Sequence, residues 1–136
     1  MKVFETMLPG VLLLEPRVFG DERGFFLETW NAARYRAAGV AVDFVQANHA
    51  RSRRGVLRGL HFQLGRPQAK LIFAVGGEIL DVAVDVRRGS QTFGRWVGVT
   101  LSAQNHCQLF VPAGFAHGLA RNDYGRYLLR LLEERR

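Results

Sequence analysis

Short apolar runs separated by turn-forming residues follow one another roughly every ten residues along this chain, a spacing typical of all-β sandwiches and barrels. The most informative pair of runs is 71–75 and 78–86, which flank Gly76 and Gly77. Two glycines in this position predict a tight hairpin turn. The second run alternates, which places Leu80, Val82, Val84 and Val86 on one face and Asp81, Ala83 and Asp85 on the other.

Local signals elsewhere complete the outline of the fold. Strands are predicted over four further segments: 11–14, 25–30, 96–101 and 107–111. Turns or loops are predicted at 19–24 and 113–118, and residues 40–45 alternate only weakly. Asn31 has the character of an N-cap, so a short helix is predicted from Ala32 to Ala38 with its stop at Gly39.

Length and composition indicate one globular domain. The chain has 136 residues, of which 48% are hydrophobic, and this is enough to bury a core. No apolar run approaches the ~20 residues of a membrane span, and residues 1–5 lack the features of a signal peptide. A cytoplasmic location is therefore expected. Cys107 is the single cysteine, which excludes an internal disulfide and any site built from several cysteines.

The net charge of +7 predicts an anionic partner, either nucleic acid or a phosphorylated small molecule. Residues 119–136 contain five arginines, and residues 126–136 look like a frayed amphipathic helix that fits poorly onto a β domain. We therefore expect a domain over residues 1–118, which carries most of the charge, followed by an atypical basic tail over 119–136. Basic and aromatic residues do not interleave on one strand as in RNA-binding domains.

Residues 55–70 bring Arg58, His61 and Lys70 close together in sequence among apolar residues and glycines. A histidine titrates near neutral pH, and neighbouring cations favour a bound anion or a developing negative charge. This combination predicts a site that removes a proton next to a carbonyl, although a histidine in an apolar strand also fits a purely structural role. Strict alternation places Arg58 and His61 on opposite faces, and a bulge at Gly59 would bring them together.

Two further arrangements involve the same histidine. His61, His117 and a carboxylate would suit iron or zinc in a small barrel, but the usual His-x-His pair is replaced by His61-x-Gln63, so no metal is predicted. Asp81 lies across the predicted hairpin from Lys70 and is expected to orient it.

Several ordered motifs together resemble the dTDP-4-dehydrorhamnose 3,5-epimerase family over about Glu5 to Gly118. The motifs are GVLRGLHFQ at 55–63, Lys70-Leu71, GEILDVAVD at 77–85, TFG at 92–94, Leu101-Ser102 and VPAGFAHG at 111–118. The resemblance implies a cupin-like jelly roll, a homodimer, a dTDP-4-keto-6-deoxyhexose substrate, and no metal or cofactor.

The resemblance also implies a role for each matching residue. His61 would remove protons at C3 and C5 of the 4-keto sugar, and Lys70 would stabilise the enolate oxygen. The nucleotide sugar would be held by six residues: Arg23, Glu28, Gln46, Asn48, Arg58 and His117. An anionic substrate of this kind accounts for the basic body without nucleic acid.

The sequence departs from the family pattern after Gly118. Tyr124 and Tyr127 lie near the position of the family's proton-donating tyrosine, but Leu129 aligns with it, and the aspartate that orients the base has no counterpart. The last strands are therefore expected to be missing and the activity to be impaired. Three alternatives stay open: a non-catalytic dTDP-sugar binder, an epimerase of one carbon only, and a nucleic-acid module.

Overall fold

The computed structural model describes residues 1–121. They form ten strands and one short helix, in the order β1 (Lys2–Glu5), β2 (Leu12–Glu15), β3 (Val18–Asp21), β4 (Gly24–Leu27), α1 (Ala32–Ala37), β5 (Leu57–His61), β6 (Lys70–Phe73), β7 (Glu78–Asp85), β8 (Trp96–Ser102), β9 (Gln108–Val111) and β10 (Phe115–Ala120). The predicted all-β fold with one short helix is confirmed. No helix in this part of the chain is long and apolar enough to cross a membrane.

The strands form two four-stranded antiparallel sheets and a separate hairpin. The first sheet has the order β1-β2-β9-β6, the second the order β5-β10-β7-β8, and the hairpin pairs β3 with β4. Apolar residues of both sheets meet in one core cluster, which includes Leu109 from the first sheet and Ala83, Leu101 and Phe115 from the second. The molecule is therefore a β-sandwich whose sheets pack face to face.

The helix follows its sequence signals closely. The side chain of Asn31 accepts a hydrogen bond from the backbone N–H of Arg34, and Ala38 is the C-cap. Tyr35 is the buried residue of the helix, and its hydroxyl donates to Oε1 of Gln108 in the first sheet at 2.7 Å. This hydrogen bond anchors the helix to the outer side of the sandwich.

Strand β7 buries both of its faces. Ala83 belongs to the cluster between the sheets, which places Asp81 and Asp85 on the interior side. Val82 and Val84 form a second cluster with Ala116 on the opposite face. The alternation predicted from the sequence is confirmed, and it has the consequence that two carboxylates point into the sandwich.

The predicted hairpin over residues 71–86 is wrong. Strand β6 pairs with β9 in the first sheet, whereas β7 pairs with β8 and β10 in the second, so Gly76 and Gly77 connect the two sheets instead of closing a hairpin. Two apolar runs separated by glycines fit either connection, because such a pattern does not specify the partner strand.

Other boundaries also differ from the prediction. The expected loop at 113–118 is a turn at 113–114 followed by β10, a central strand of the second sheet. The expected turn at 19–24 includes β3 and the start of β4, and the expected strand at 25–30 ends at Leu27. Strand β1 was not predicted. Strand β10 reaches Ala120, while residues 122–136 lie outside the described chain, so the boundary at 118 stays a prediction.

The predicted bulge in β5 is confirmed by its register with β10. His61 is the partner of His117, and Arg58 is the partner of Leu119. Between these two pairs β5 therefore contains one more residue than β10. Because His117 and Leu119 share a face, the bulge returns Arg58 and His61 to the same side of the sheet.

Glycine makes this bulge possible at Gly59. Its φ is +112°, and a Cβ there would lie 2.7 Å from Cα of Gly118 and 2.8 Å from the carbonyl oxygen of His117. Both contacts are with backbone atoms that rotating a side chain cannot move away. The two strands can approach this closely only without a side chain at this position.

We expect Gly59→Ala to lower the free energy of unfolding by at least about 2 kcal/mol, because it combines a left-handed backbone with a backbone clash. Urea unfolding would measure the loss. The matched control is Gly65→Ala, where a Cβ meets nothing within 4 Å and φ is not in the left-handed region. Equal unfolding midpoints for the two variants would contradict the prediction.

Candidate functional site

His61 and Lys70 come from opposite sheets and line one cavity. Lys70 opens β6 and shares its inward face with Ile72, a residue of the core cluster, whereas His61 closes β5 in the second sheet. The cavity between them has a volume of about 100 Å³ and opens to solvent. Its other lining residues are Phe62, Gln63, Pro67, Gln68, Gly114 and Phe115.

The size of this cavity limits what it can enclose. Pockets that bury a whole drug-sized ligand have volumes of roughly 300–1,000 Å³, several times the 100 Å³ found here. The enclosed space therefore suits the reacting end of a larger ligand, with the remainder bound along the surface.

His117 lies beside His61 and is held by a buried carboxylate. The two histidines are direct partners on neighbouring strands, so their side chains project from the same face of the sheet. Nε2 of His117 lies 2.9 Å from each carboxylate oxygen of Asp81, which is fully buried. With Asp81 ionised, this nitrogen carries a proton and donates it, which fixes the orientation of the imidazole.

The electrostatics of Asp81 reflect its place in the interior. Burial raises the pKa of its carboxyl group, and the hydrogen bond from His117 together with the charges of His117 and Lys70 offsets part of that rise. The sequence predicted that Asp81 orients Lys70 across a hairpin. In the structure, the Asp81 carboxylate instead accepts its hydrogen bonds from His117. Lys70 affects Asp81 only through its charge, from the opposite sheet.

Arg58 lies on the same side of β5 as His61 and holds the preceding basic loop. Its Nε donates to Oγ of Ser52 at 2.9 Å, and Nη1 of Arg121 donates to the carbonyl oxygen of Ser52. Arg51 and Arg53 in the same loop are exposed. The arrangement concentrates positive charge next to the histidine pair, where it would attract an anionic ligand.

Two of the nine predicted site residues, His61 and Lys70, line the cavity, and four of the other seven are held by contacts outside its lining. Arg23 lies at the turn between β3 and β4 and forms an ion pair with Asp21, with Nη2 2.6 Å from Oδ2. Glu28 accepts hydrogen bonds from Arg34 and Asn31 near the start of the helix. Gln46 and Asn48 are exposed and hydrogen-bonded to each other at 3.1 Å. The described part of the chain does not gather these four side chains around His61.

The sequence interpretation missed several residues of the cavity wall. Phe62 and Gln63 follow the histidine directly, so a strand continued through His61 could have suggested them. Gly114 and Phe115 lie in the segment predicted as a loop. Their place in the site depends on β10 as a central strand, a role that no local signal indicates.

Within residues 1–121, no group of three or more histidine, cysteine, aspartate or glutamate side chains is arranged to hold a metal ion. His117 and Asp81 are bonded to each other and His61 has no carboxylate beside it in the lining of the cavity. The chemistry that these residues offer is proton transfer next to a cation: an imidazole, an ammonium group and an oriented second imidazole.

Comparison with known proteins gives concordant results. The family model of dTDP-4-dehydrorhamnose 3,5-epimerase matches residues 5–127. The dTDP-4-dehydrorhamnose 3,5-epimerases of Pseudomonas aeruginosa and Salmonella typhimurium are 54% and 53% identical to the chain, each over 96% of its length. The crystal structure of dTDP-6-deoxy-D-glucose-3,5-epimerase from Legionella pneumophila in complex with dTDP-4-keto-L-rhamnose superposes with a TM-score of 0.85 and 49% identity over 88% of the chain.

The chain spans 73% of the length of each of the two enzymes from Pseudomonas and Salmonella, and 64% of the Legionella structure. The family model spans every cavity-lining residue, and the structural match identifies the sandwich as the cupin-like fold of these epimerases. The family model covers far more than half of the residues, and the identities are close to one half or above it. The chain is therefore a member of the dTDP-4-dehydrorhamnose 3,5-epimerase family.

Proposed function

We propose that this chain epimerises dTDP-4-dehydro-6-deoxy-D-glucose at C3 and C5 to give dTDP-4-dehydro-L-rhamnose. The observation that carries the proposal is the placement of His61 and Lys70, which reach one cavity from opposite sheets. An imidazole and an ammonium group on two sides of a small space are the groups that enolisation of a ketone requires. Family membership supplies the substrate class.

In the proposed reaction, neutral His61 removes the proton from the carbon next to the C4 carbonyl. The electrons of the C–H bond move into the new C=C bond, and the carbonyl oxygen becomes an enolate stabilised by the Lys70 ammonium. Return of a proton to the opposite face of the same carbon reforms the ketone and inverts the centre. The residue that aligns with the family's proton donor, Leu129, lies outside the described chain.

Substrate binding is assigned to the six residues that the family resemblance implies. Arg58 has the best structural support, because it lies on the His61 side of β5 beside an exposed basic loop. A guanidinium group binds phosphate oxygens through paired hydrogen bonds, which suits the pyrophosphate. His117, which Asp81 holds in place, would contact the sugar. Arg23, Glu28, Gln46 and Asn48 would bind the nucleotide outside the cavity; this part, like the cytoplasmic location, stays a prediction.

We expect His61→Ala to slow deuterium exchange into the 4-keto sugar at C3 and C5 by at least about 10²-fold, because a positioned base contributes that much or more. NMR in D₂O would follow the exchange. His49→Ala removes an exposed histidine and is the matched control. Exchange at full rate in His61→Ala would contradict the proposal.

The same experiment distinguishes the alternatives. Exchange and inversion at one carbon only would indicate a single-carbon epimerase. Binding of dTDP without any exchange would indicate a non-catalytic homologue. Exchange without inversion would show that the base and enolate site work but that proton return from the opposite face is impaired.

We expect Lys70→Met to lower kcat for epimerisation by roughly 10²-fold or more, the usual cost of losing one group that stabilises an oxyanion. Methionine keeps the length of the side chain but removes the ammonium charge. Lys2→Met is the matched control, because Lys2 is the other lysine of the chain and forms an exposed ion pair with Glu15. Equal kcat values for Lys70→Met and the unmodified chain would remove Lys70 from the mechanism.

A homodimer is part of the proposal. The β3–β4 hairpin exposes Phe19, Phe25 and Phe26, whose exposed fractions are 51%, 62% and 70%. Phe19 and Phe26 are cross-strand partners on one face of the hairpin, and an exposed apolar pair of this kind is typical of a protein–protein contact. Sedimentation equilibrium is expected to give twice the mass of the chain; a single-chain mass at every concentration would contradict the dimer.

A further inference from the structure

Strand β7 ends in a buried carboxylate with an unusually full set of donors. Asp85 is fully buried. Its oxygens accept hydrogen bonds from the backbone N–H and Nε of Arg87, each at 3.0 Å, from Nη2 of Arg87 at 2.8 Å, and from the hydroxyls of Ser90 and Thr92, each at 2.6 Å. These hydrogen bonds, and most strongly the one from the Arg87 side chain, hold the pKa of the Asp85 carboxyl far below its usual value. Asp85 therefore stays ionised at neutral pH and fixes the guanidinium of Arg87 in one place.

Arg87 in turn covers the turn that opens β10. The centre of its guanidinium lies 4.5 Å from the centroid of the Phe115 ring, within the range of a cation–π contact. Its aliphatic stem lies directly on Gly114, where a Cβ would come within 2.7 Å of the Arg87 Cγ. A single side chain thus contacts two consecutive residues of the turn.

Those two residues belong to the wall of the cavity that contains His61 and Lys70. Phe115 is the cross-strand partner of Asp85, is only 5% exposed and carries the Arg87 guanidinium on its ring, so it links the carboxylate network to the cavity wall. His117 follows two residues later on the same face of β10. The position of the Phe115 ring therefore influences the shape of the space beside both proposed catalytic side chains.

The hairpin offers an instructive contrast. Asp21 and Arg23 have the same spacing as Asp85 and Arg87, and the same three types of Arg donor bind the carboxylate. There the carboxylate side chain is 50% exposed, and neither residue lines the cavity. A turn of this kind can thus close without a buried carboxylate and without an arginine stacked on a ring. Turn closure therefore does not account for the burial of Asp85 or for the stacking of Arg87 on Phe115.

We propose that Arg87 is a positioning residue: it holds Phe115 against the cavity so that the sugar ring lies in register between His61 and Lys70. The proposal rests on the function proposed above. It requires arginine in particular, because only a planar guanidinium can bind both carboxylate oxygens and also stack on the ring.

The first test compares Arg87→Lys, Arg87→Met and the control Arg88→Met by deuterium exchange and by dTDP binding. Arg88 is the next residue along the chain and is exposed. Both Arg87 variants are expected to lose about 10- to 100-fold in exchange rate, the cost of a small misplacement of the reacting groups, while dTDP affinity stays unchanged. Lysine keeps a cation beside the buried Asp85 carboxylate. If Arg87→Met fails to fold, the exchange rate of Arg87→Lys therefore tests the proposal.

The second test asks whether Arg87 acts through Phe115. Phe115→Leu should reproduce the loss, and the double variant Arg87→Lys/Phe115→Leu should be no slower than the slower single variant, because residues that act as one unit are not additive. Losses that multiply in the double variant, or a full exchange rate in folded Arg87→Lys, would overturn the proposal.

A readout besides activity separates this inference from the proposed function. If the unmodified chain binds dTDP but exchanges no proton, the proposed function fails, and NMR signals of the Phe115 ring then decide the role of Arg87. A shift and broadening of those signals in Arg87→Lys, but not in Arg88→Met, would support positioning. Unchanged ring signals in Arg87→Lys would overturn it.

Discussion

The close approach of two glycines is the constraint on which the site depends. A Cβ on Gly59 would collide with Gly118, and a Cβ on Gly118 would lie 2.8 Å from the carbonyl oxygen of Arg58. Because neither residue has a side chain, β5 can accommodate one extra residue against β10 without losing the pairing of His61 with His117. The bulge brings the arginine and both histidines to one face, and everything proposed about the chemistry follows from that arrangement.

The interior of the sandwich is polar where the site is built. The alternation of β7 sends Asp81 and Asp85 inward and the valines outward, so two carboxylates must find partners away from water. Asp81 is hydrogen-bonded to the imidazole of His117, and Asp85 accepts hydrogen bonds from the guanidinium of Arg87 and from two hydroxyl groups. The Asp81 carboxylate fixes His117 beside His61, and the Asp85 carboxylate fixes Arg87 against Phe115 of the cavity wall. The cost of burying the charges is thus offset by hydrogen bonds that also hold the site rigid.

In the proposed reaction, the site divides two tasks along β5. The enclosed part, between His61 and Lys70, is too small for a whole nucleotide sugar and suits the ring that reacts. The exposed part, around Arg58 and the basic loop that it holds through Ser52, suits the charged portion of the ligand. Such a division lets the anion contribute binding energy at a distance from the proton-transfer groups, where it can help to orient the sugar.

Features that depend on neighbouring residues could be read from the sequence. Asn31 specified the start of the helix, the alternation of β7 specified its two faces, and the motif around His61 and Lys70 identified the family. Which strands pair became clear only from the folded structure. Residues 71–75 and 78–86 lie in different sheets, and residues 115–120 form a central strand, which places Phe115 in the cavity wall. The reason is physical: capping and side-chain period are local, whereas a strand's partner is selected by packing between residues far apart in the chain.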